Sequence, residues 1–243
     1  MKVDILAIGV HPDDVELSCA GTLLSHIDQG KTVGLLDLTR GELGSRGSAE
    51  IRDEEAATSA KMMGAKFRKN LRMADGFFEY TKENMLDIIR VIRESQPEII
   101  LINAPTDRHP DHGRAAKLCA DACFYSGLIK IETLDAFGNL QDKWRPKAVY
   151  HYIQDRSLKP DFIVDIGPYI DRKEELILAF KSQFYVPDAE EYSEEVQTPI
   201  SGKSFLAHLR GRAASAGRDA GFDYAEGYVA ARTIGVKSLF DLV

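Results

Sequence analysis

Three apolar runs, "VDILAIGV" (3–10), "TVGLLDLT" (32–39) and "EIILINAP" (98–105), are nearly unbroken rather than alternating. A strand with one wet face alternates polar and apolar residues, whereas a parallel strand covered on both faces does not. Helix-period segments follow these runs. After the first, Val15, Cys19, Leu23, Leu24 and Ile27 share one face, and Gly30 marks the exit. Ser48 is placed to cap a helix through Met63, and Thr81 to cap another that stops before Pro97. Further on, "AVYHYI" and "DFIVDI" read as strands, with a helix expected near 169–182. Strand–helix alternation predicts an α/β chain: a Rossmann-like three-layer fold with a mostly parallel, doubly wound sheet. With 243 residues and no repeat, low-complexity tract or dividing linker, residues 1–243 are expected to form a single domain. The acidic stretch at 186–204, with "PDAEEYSEE" (187–195) inside it, reads as a solvated surface loop or a lid.

In such a sheet the active site lies beyond the carboxyl ends of the strands. At the end of the first run stand His11, Pro12, Asp13 and Asp14, where a dinucleotide fold would carry G-x-G-x-x-G. Two carboxylates there would repel a pyrophosphate, so the turn favours a cation. "DRHPDH" (107–112) follows the 98–105 run and should reach the same edge. Together His11, Asp14 and His112 would make a two-imidazole, one-carboxylate metal site of the kind that suits catalytic Zn2+. Fe2+, Mn2+ and Co2+ accept the same donors. Asp13, beside a ligand, is the candidate general base. His109 is the candidate for stabilising an oxyanion or protonating a leaving amine, with Asp111 to orient it and hold up its pKa. Taken alone, Asp13–Asp14 reads as a helix cap and "HPDH" as a surface turn. Two such clusters, each ending a buried strand, are harder to explain that way. His26, His151 and His208 have no comparable setting and read as structural or surface residues.

The net charge of -7 argues against a nucleic-acid partner. No apolar stretch is long enough to span a bilayer, and the first ten residues lack signal-peptide character, so a cytoplasmic protein is expected. Cys19, Cys119 and Cys123 read as buried thiols rather than disulfides.

"HPDD" after the first strand and "HPDH" about a hundred residues later resemble the PIG-L/LmbE-like zinc-dependent de-N-acetylases. "DLTRGELGSRG", "RDEEA", "ADGFF", "RHPDHGRAAKL", "KSQFY" and "YAEGY" extend the resemblance through most of the chain. The longer motifs are most similar to the bacillithiol-pathway branch, which removes acetyl from N-acetylglucosaminyl malate. The resemblance implies His11, Asp14 and His112 as metal ligands, Asp13 as base, His109 as acid or oxyanion group, and Asp111 as its carboxylate partner. It also implies Arg52 as a substrate-side cation, against the alternative of a helix-surface pair with Glu54 or Glu55. Glu42, Arg46, Asp75 and Arg108 are expected near the crevice mouth, acids for sugar hydroxyls and arginines for a malate carboxylate. The alternative for each is an ordinary loop charge, an equal reading for Glu42, Arg46 and Asp75. Some members use a tyrosine from the C-terminal half at the oxyanion; Tyr185 and Tyr192 lack a motif context, so that helper stays unassigned. The resemblance further implies a homo-oligomer, a hexamer. The alternatives are a de-N-acetylase of another conjugate, such as a chito-oligosaccharide or a mycothiol-like thiol, and a non-catalytic metal-binding protein.

Overall fold

The computed structural model describes residues 1–185 and 195–242. Strands β1 (Ile5–Gly9), β2 (Val33–Thr39), β3 (Phe67–Met73), β4 (Ile99–Ile102) and β5 (Ala148–Tyr152) pair in parallel. β7 (Ala225–Ala230) lies antiparallel to β5 on one side and to β6 (Phe162–Asp165) on the other. The seven-stranded order is β3-β2-β1-β4-β5-β7-β6. The sheet is therefore mostly parallel, as the unbroken apolar runs predict.

Alternate residues of β1 serve two cores. Leu6 and Ile8 pack with Ile100 and Ile102 against α3 (Lys82–Ser95) and α4 (Pro110–Tyr125). Ile5 and Ala7 pack with α1 (Asp14–Asp28), α2 (Ala49–Met63) and Leu176 of α5 (Ile170–Leu178). Burying each large aliphatic chain stabilises the fold by about 1.5–3 kcal/mol, which is why β1 tolerates no polar residue. Cys19, Cys119 and Cys123 are buried free thiols within these cores. Ser48 Oγ accepts the Ile51 N–H and Thr81 Oγ1 accepts the Asn84 N–H, so both expected caps form. No helix among the described residues is long and apolar enough to cross a membrane.

Two elements depart from expectation. The helix expected near 169–182 stops at Leu178. Phe180 and Phe184 turn inward against Ile177 and Ala56, while the Ser182 N–H and hydroxyl donate to Glu55 of α2. "FRKNLRM" becomes the edge strand β3, which the sequence reading left unassigned. Edge strands carry charge to blunt their open side, and that charge masks the strand pattern. "PDAEEYSEE", read as a surface loop or a lid, lies outside the described residues except for Glu195.

β1 and β4 are neighbours, yet their chains leave to opposite faces, β1 into α1 and β4 into α4. This reversal opens a crevice above both strand ends.

Candidate active site

The turn after β1 is closed by Asp14. Its Oδ2 accepts the Val10 N–H at 3.0 Å, the His11 N–H at 2.9 Å and Asn103 Nδ2 at 3.0 Å. Its Oδ1 accepts Gln154 Nε2 at 3.0 Å. Asp13 occupies the N-cap position of α1 but makes no capping bond. Its carboxylate lines a cleft of about 530 Å³ and has no hydrogen-bond partner among the described residues. Capping therefore does not account for Asp13.

The turn after β4 brings the second cluster to the same place. Pro110 opens α4, where its missing N–H costs nothing, and His109 is the cap. His112 Nε2 lies 3.2 Å from Asp14 Oδ1, and His11 Nδ1 lies 3.8 Å from Asp14 Oδ2. The ring of His109 sits edge-on to His11 at 4.7 Å between centroids and 5.3 Å from His112. Ligand atoms of all three imidazoles fall within 4.8 Å of one another.

Neighbouring groups distinguish the three rings. A neutral imidazole has one N–H and one lone pair, and the partner of one nitrogen decides the state of the other. Asp107 Oδ2 stands 2.5 Å from His112 Nδ1, which fixes the proton there and frees Nε2. Asp75 Oδ1 stands 3.1 Å from His11 Nε2, which frees Nδ1. His109 is the reverse: its Nδ1 accepts the Asp111 N–H at 3.3 Å, so Nε2 carries the proton. Two lone pairs and the Asp14 carboxylate are thus available to a cation, while His109 offers a donor.

Without a metal those lone pairs are protonated, and a bound cation would displace the protons. Burial disfavours a charged ring at His11, but Asp111, Asp75 and Asp14 outweigh it and raise the pKa to about 10. At His112 burial is likewise overcome, by Asp14 and Asp107, and the pKa rises to about 9. Burial lowers the pKa of His109, helped by the two neighbouring rings. Burial opposes charge on Asp14, yet His112 and His11 hold its carboxyl well below the usual carboxylate range. A buried, acid-rich pocket that keeps protons on two imidazoles is short of a cation, and these donors fit a divalent metal.

Several expected contacts are made differently. The Asp111 carboxylate does not bond His109; its Oδ2 accepts the Gly76 N–H at 2.9 Å and lies 3.7 Å from His11 Nε2. Asp75 lines the cleft, but its carboxylate is engaged by the protein itself: Oδ1 faces His11 and Oδ2 accepts the Leu43 N–H. Glu42 lies outside the cleft wall, where Oε1 accepts the Asp75 N–H and ties two loops together. Arg46 is buried away from the cleft and donates to the carbonyls of Ser182 and Val196. Arg52 does line the cleft. It is buried, donates to Gln183, and leaves its Nε without a partner, so the surface pair with Glu54 or Glu55 does not form. Its guanidinium lies so close to Gly41 (φ +67) that a Cβ there would collide with Nη1. Arg108 stands exposed at the cleft wall, paired with Asp155 at 2.6 Å. No tyrosine lines the cleft among the described residues; Tyr192 lies outside them, and Tyr185 faces Lys203. His26 and His151 bond backbone carbonyls, and His208 is exposed.

The sequence reading missed Asp107, Asn103, Gln154 and Arg68. Asn103 and Gln154 each follow a strand closely, a position that could have flagged them. Arg68 of β3 reaches across to Glu16 at 2.6 Å and Asp37 at 2.7 Å, and also donates to the Pro12 carbonyl. Nothing local in "FRKNLRM" signals that reach.

Comparison with known proteins places this geometry among relatives. The family described as GlcNAc-PI de-N-acetylase (PIG-L) matches residues 6–123. The chain is 30% identical over 190 residues to a diacetylchitobiose deacetylase of Thermococcus kodakarensis, covering 74% of this chain and 70% of that protein. Among solved structures, the conserved protein TT1542 from Thermus thermophilus superposes with a TM-score of 0.82 at 32% identity, over 97% of this chain and 98% of that one. The N,N'-diacetylchitobiose deacetylase from Pyrococcus horikoshii superposes with a TM-score of 0.78 at 26% identity, over 98% and 88%.

Proposed function

The chain belongs to the PIG-L family of GlcNAc-PI de-N-acetylases, and on that premise we propose that its cleft hydrolyses the acetamide of an N-acetylglucosamine conjugate. The observation that carries the reading is geometric: the His11, His109 and His112 rings converge beside the Asp14 carboxylate at the mouth of the cleft. His11 Nδ1, His112 Nε2 and the Asp14 carboxylate are left to hold a metal, while Asp13 stands beside them unbonded. A divalent ion held there, Zn2+ by the sequence reading with Fe2+, Mn2+ or Co2+ as alternatives, would polarise the acetamide carbonyl and acidify a water.

The chain's own groups supply the remaining steps. Asp13 takes a proton from the attacking water as its oxygen bonds the carbonyl carbon. The carbonyl oxygen, now negative, accepts the Nε2–H of His109. Asp13 then passes its proton to the amine nitrogen as the C–N bond breaks, giving acetate and a free amine. Asp111 and Asp75 hold the His11 ring in its metal-facing orientation. Arg52 and Arg108 are the substrate-side cations.

For the conjugate itself, N-acetylglucosaminyl malate is the reading from sequence. Diacetylchitobiose is the second, favoured by what the relatives from Thermococcus kodakarensis and Pyrococcus horikoshii are named for. The protein is further proposed to be a single-domain, cytoplasmic homo-oligomer, a hexamer, which light scattering would measure. Acetate release from each conjugate, with and without chelator, tests the activity. Asp13→Ala is expected to lose about 10²–10⁴-fold in kcat with its metal content intact. Full activity in that variant would overturn the assigned base.

A further inference from the structure

The cleft has a second charged feature that the reaction does not use. Arg212, on helix α6 (Phe205–Gly217), lines its wall and is partly buried. Among the described residues its guanidinium makes no hydrogen bond and no ion pair. Two carboxylates, Asp155 and Asp107, are near enough to act on it through space. Both are already engaged: Asp155 holds Arg108 at 2.6 Å, and Asp107 holds His112 at 2.5 Å and the Arg156 N–H at 2.6 Å. Its helix neighbour Arg210 is used conventionally, bonded to Glu174 at 2.8 Å and stacked over Tyr224. Arg212 is the arginine of that helix held in the cleft wall without a partner of its own.

Taking a guanidinium out of water without a partner is costly, and a bound anion offsets that cost. Burial already depresses the Arg212 pKa, against the pull of Asp155 and Asp107. Around it α6 presents Leu209, Ala213 and Ala216 to the cleft, so a ligand group arriving there meets one cation in a largely apolar wall. A guanidinium fork matches a carboxylate bidentately. We infer that Arg212 is a specificity-determining residue that reads a carboxylate carried on the aglycone of the substrate. This deepens the de-N-acetylase reading and rests on it: the preferred substrates are acidic conjugates of N-acetylglucosamine rather than neutral oligosaccharides.

The test compares kcat/KM for N-acetylglucosaminyl malate and for neutral methyl N-acetylglucosaminide, in the native protein, Arg212→Gln and Arg212→Lys. The native protein is expected to prefer the acidic conjugate. In Arg212→Gln the acidic-to-neutral ratio should fall at least about tenfold, mainly through KM, the size of one lost charge-assisted bond. Arg212→Lys, which keeps the charge but not the fork, should fall between. Free malate should inhibit the native protein competitively and Arg212→Gln much less, with thermal melting confirming that each variant is folded. An unchanged ratio in a folded Arg212→Gln would overturn the assignment. Equal turnover of both conjugates by the native protein would overturn it without any variant. Acetate release from neither conjugate would defeat the de-N-acetylase reading itself, and this inference with it.

Discussion

Asp107→Asn separates metal binding from chemistry. In the native protein Asp107 Oδ2 orients His112 Nδ1 at 2.5 Å, while Oδ1 accepts the Arg156 N–H at 2.6 Å. The amide has one acceptor oxygen for these two donors, so one position must present an NH2 group to an N–H. Either the His112 bond is lost, or it survives without its charge while the Arg156 turn is disturbed. A charge-assisted hydrogen bond contributes about 1.5–3 kcal/mol, and each ~1.4 kcal/mol is tenfold in an equilibrium constant. Metal affinity should therefore fall about 10–100-fold. Because Asp107 touches the metal site only through His112, kcat at saturating metal should change by less than about tenfold. Competition against a chelating indicator gives the affinity, and acetate release at rising metal concentration gives the rate. Unchanged affinity would refute the argument that Asp107 sets the His112 tautomer. A loss of rate that excess metal cannot restore would show instead that Asp107 acts on the substrate.

Other consequences are open to measurement. In chelated protein, His11 and His112 have folded pKa values of about 10 and about 9, above an unfolded value of 6.5. Their stabilisation is then complete below the unfolded pKa and is lost as pH rises through the folded ones. The melting temperature of chelated protein should fall across that window, and a rise there would contradict the assignment. Metal binding near neutral pH should release protons from the same two rings, seen as a dependence of the calorimetric heat on the buffer's ionisation enthalpy. Glu226→Ala would strand the buried Lys173 ammonium, now paired at 2.6 Å, and remove the acceptor of the Gly21 and Thr22 N–H groups. A cost of about 3–5 kcal/mol is expected in urea unfolding. Gly41→Ala forces a non-glycine residue into a left-handed conformation at about 1–2 kcal/mol and drives Arg52 from its seat. Activity should drop more than stability, and parallel losses would count against a substrate role for Arg52.

What the sequence made legible was whatever local chemistry determines. Unbroken apolar runs specify buried parallel strands, so β1, β2 and β4 could be read together with the strand ends where His11 and His112 stand. Ser48 and Thr81 cap because a hydroxyl at that position satisfies an N–H within its own turn. Partnerships made over long separations were not legible. Asp75 and Arg46 were charges on loops until folding brought His11 to one and the Ser182 carbonyl to the other. Asp111 shows a finer limit, since the neighbour that bonds His109 is its backbone N–H rather than its carboxylate. β3 stayed hidden because the charges that blunt its unpaired edge mask the strand pattern, and α5 ends early where Phe180 and Phe184 turn in to pack against Ala56 of α2.

The reach of Arg68 ties the outermost strand of the sheet to the catalytic turn. Edge strands open at lower free energy than the centre of a fold. When β3 peels away here, the Pro12 carbonyl and Glu16 lose their shared guanidinium, and the loop presenting Asp13 is released while β1 is still paired with β4. Warming should therefore silence the enzyme before it melts. Deuterium uptake at the backbone amides of β3 would keep time with lost turnover rather than with the loss of the core.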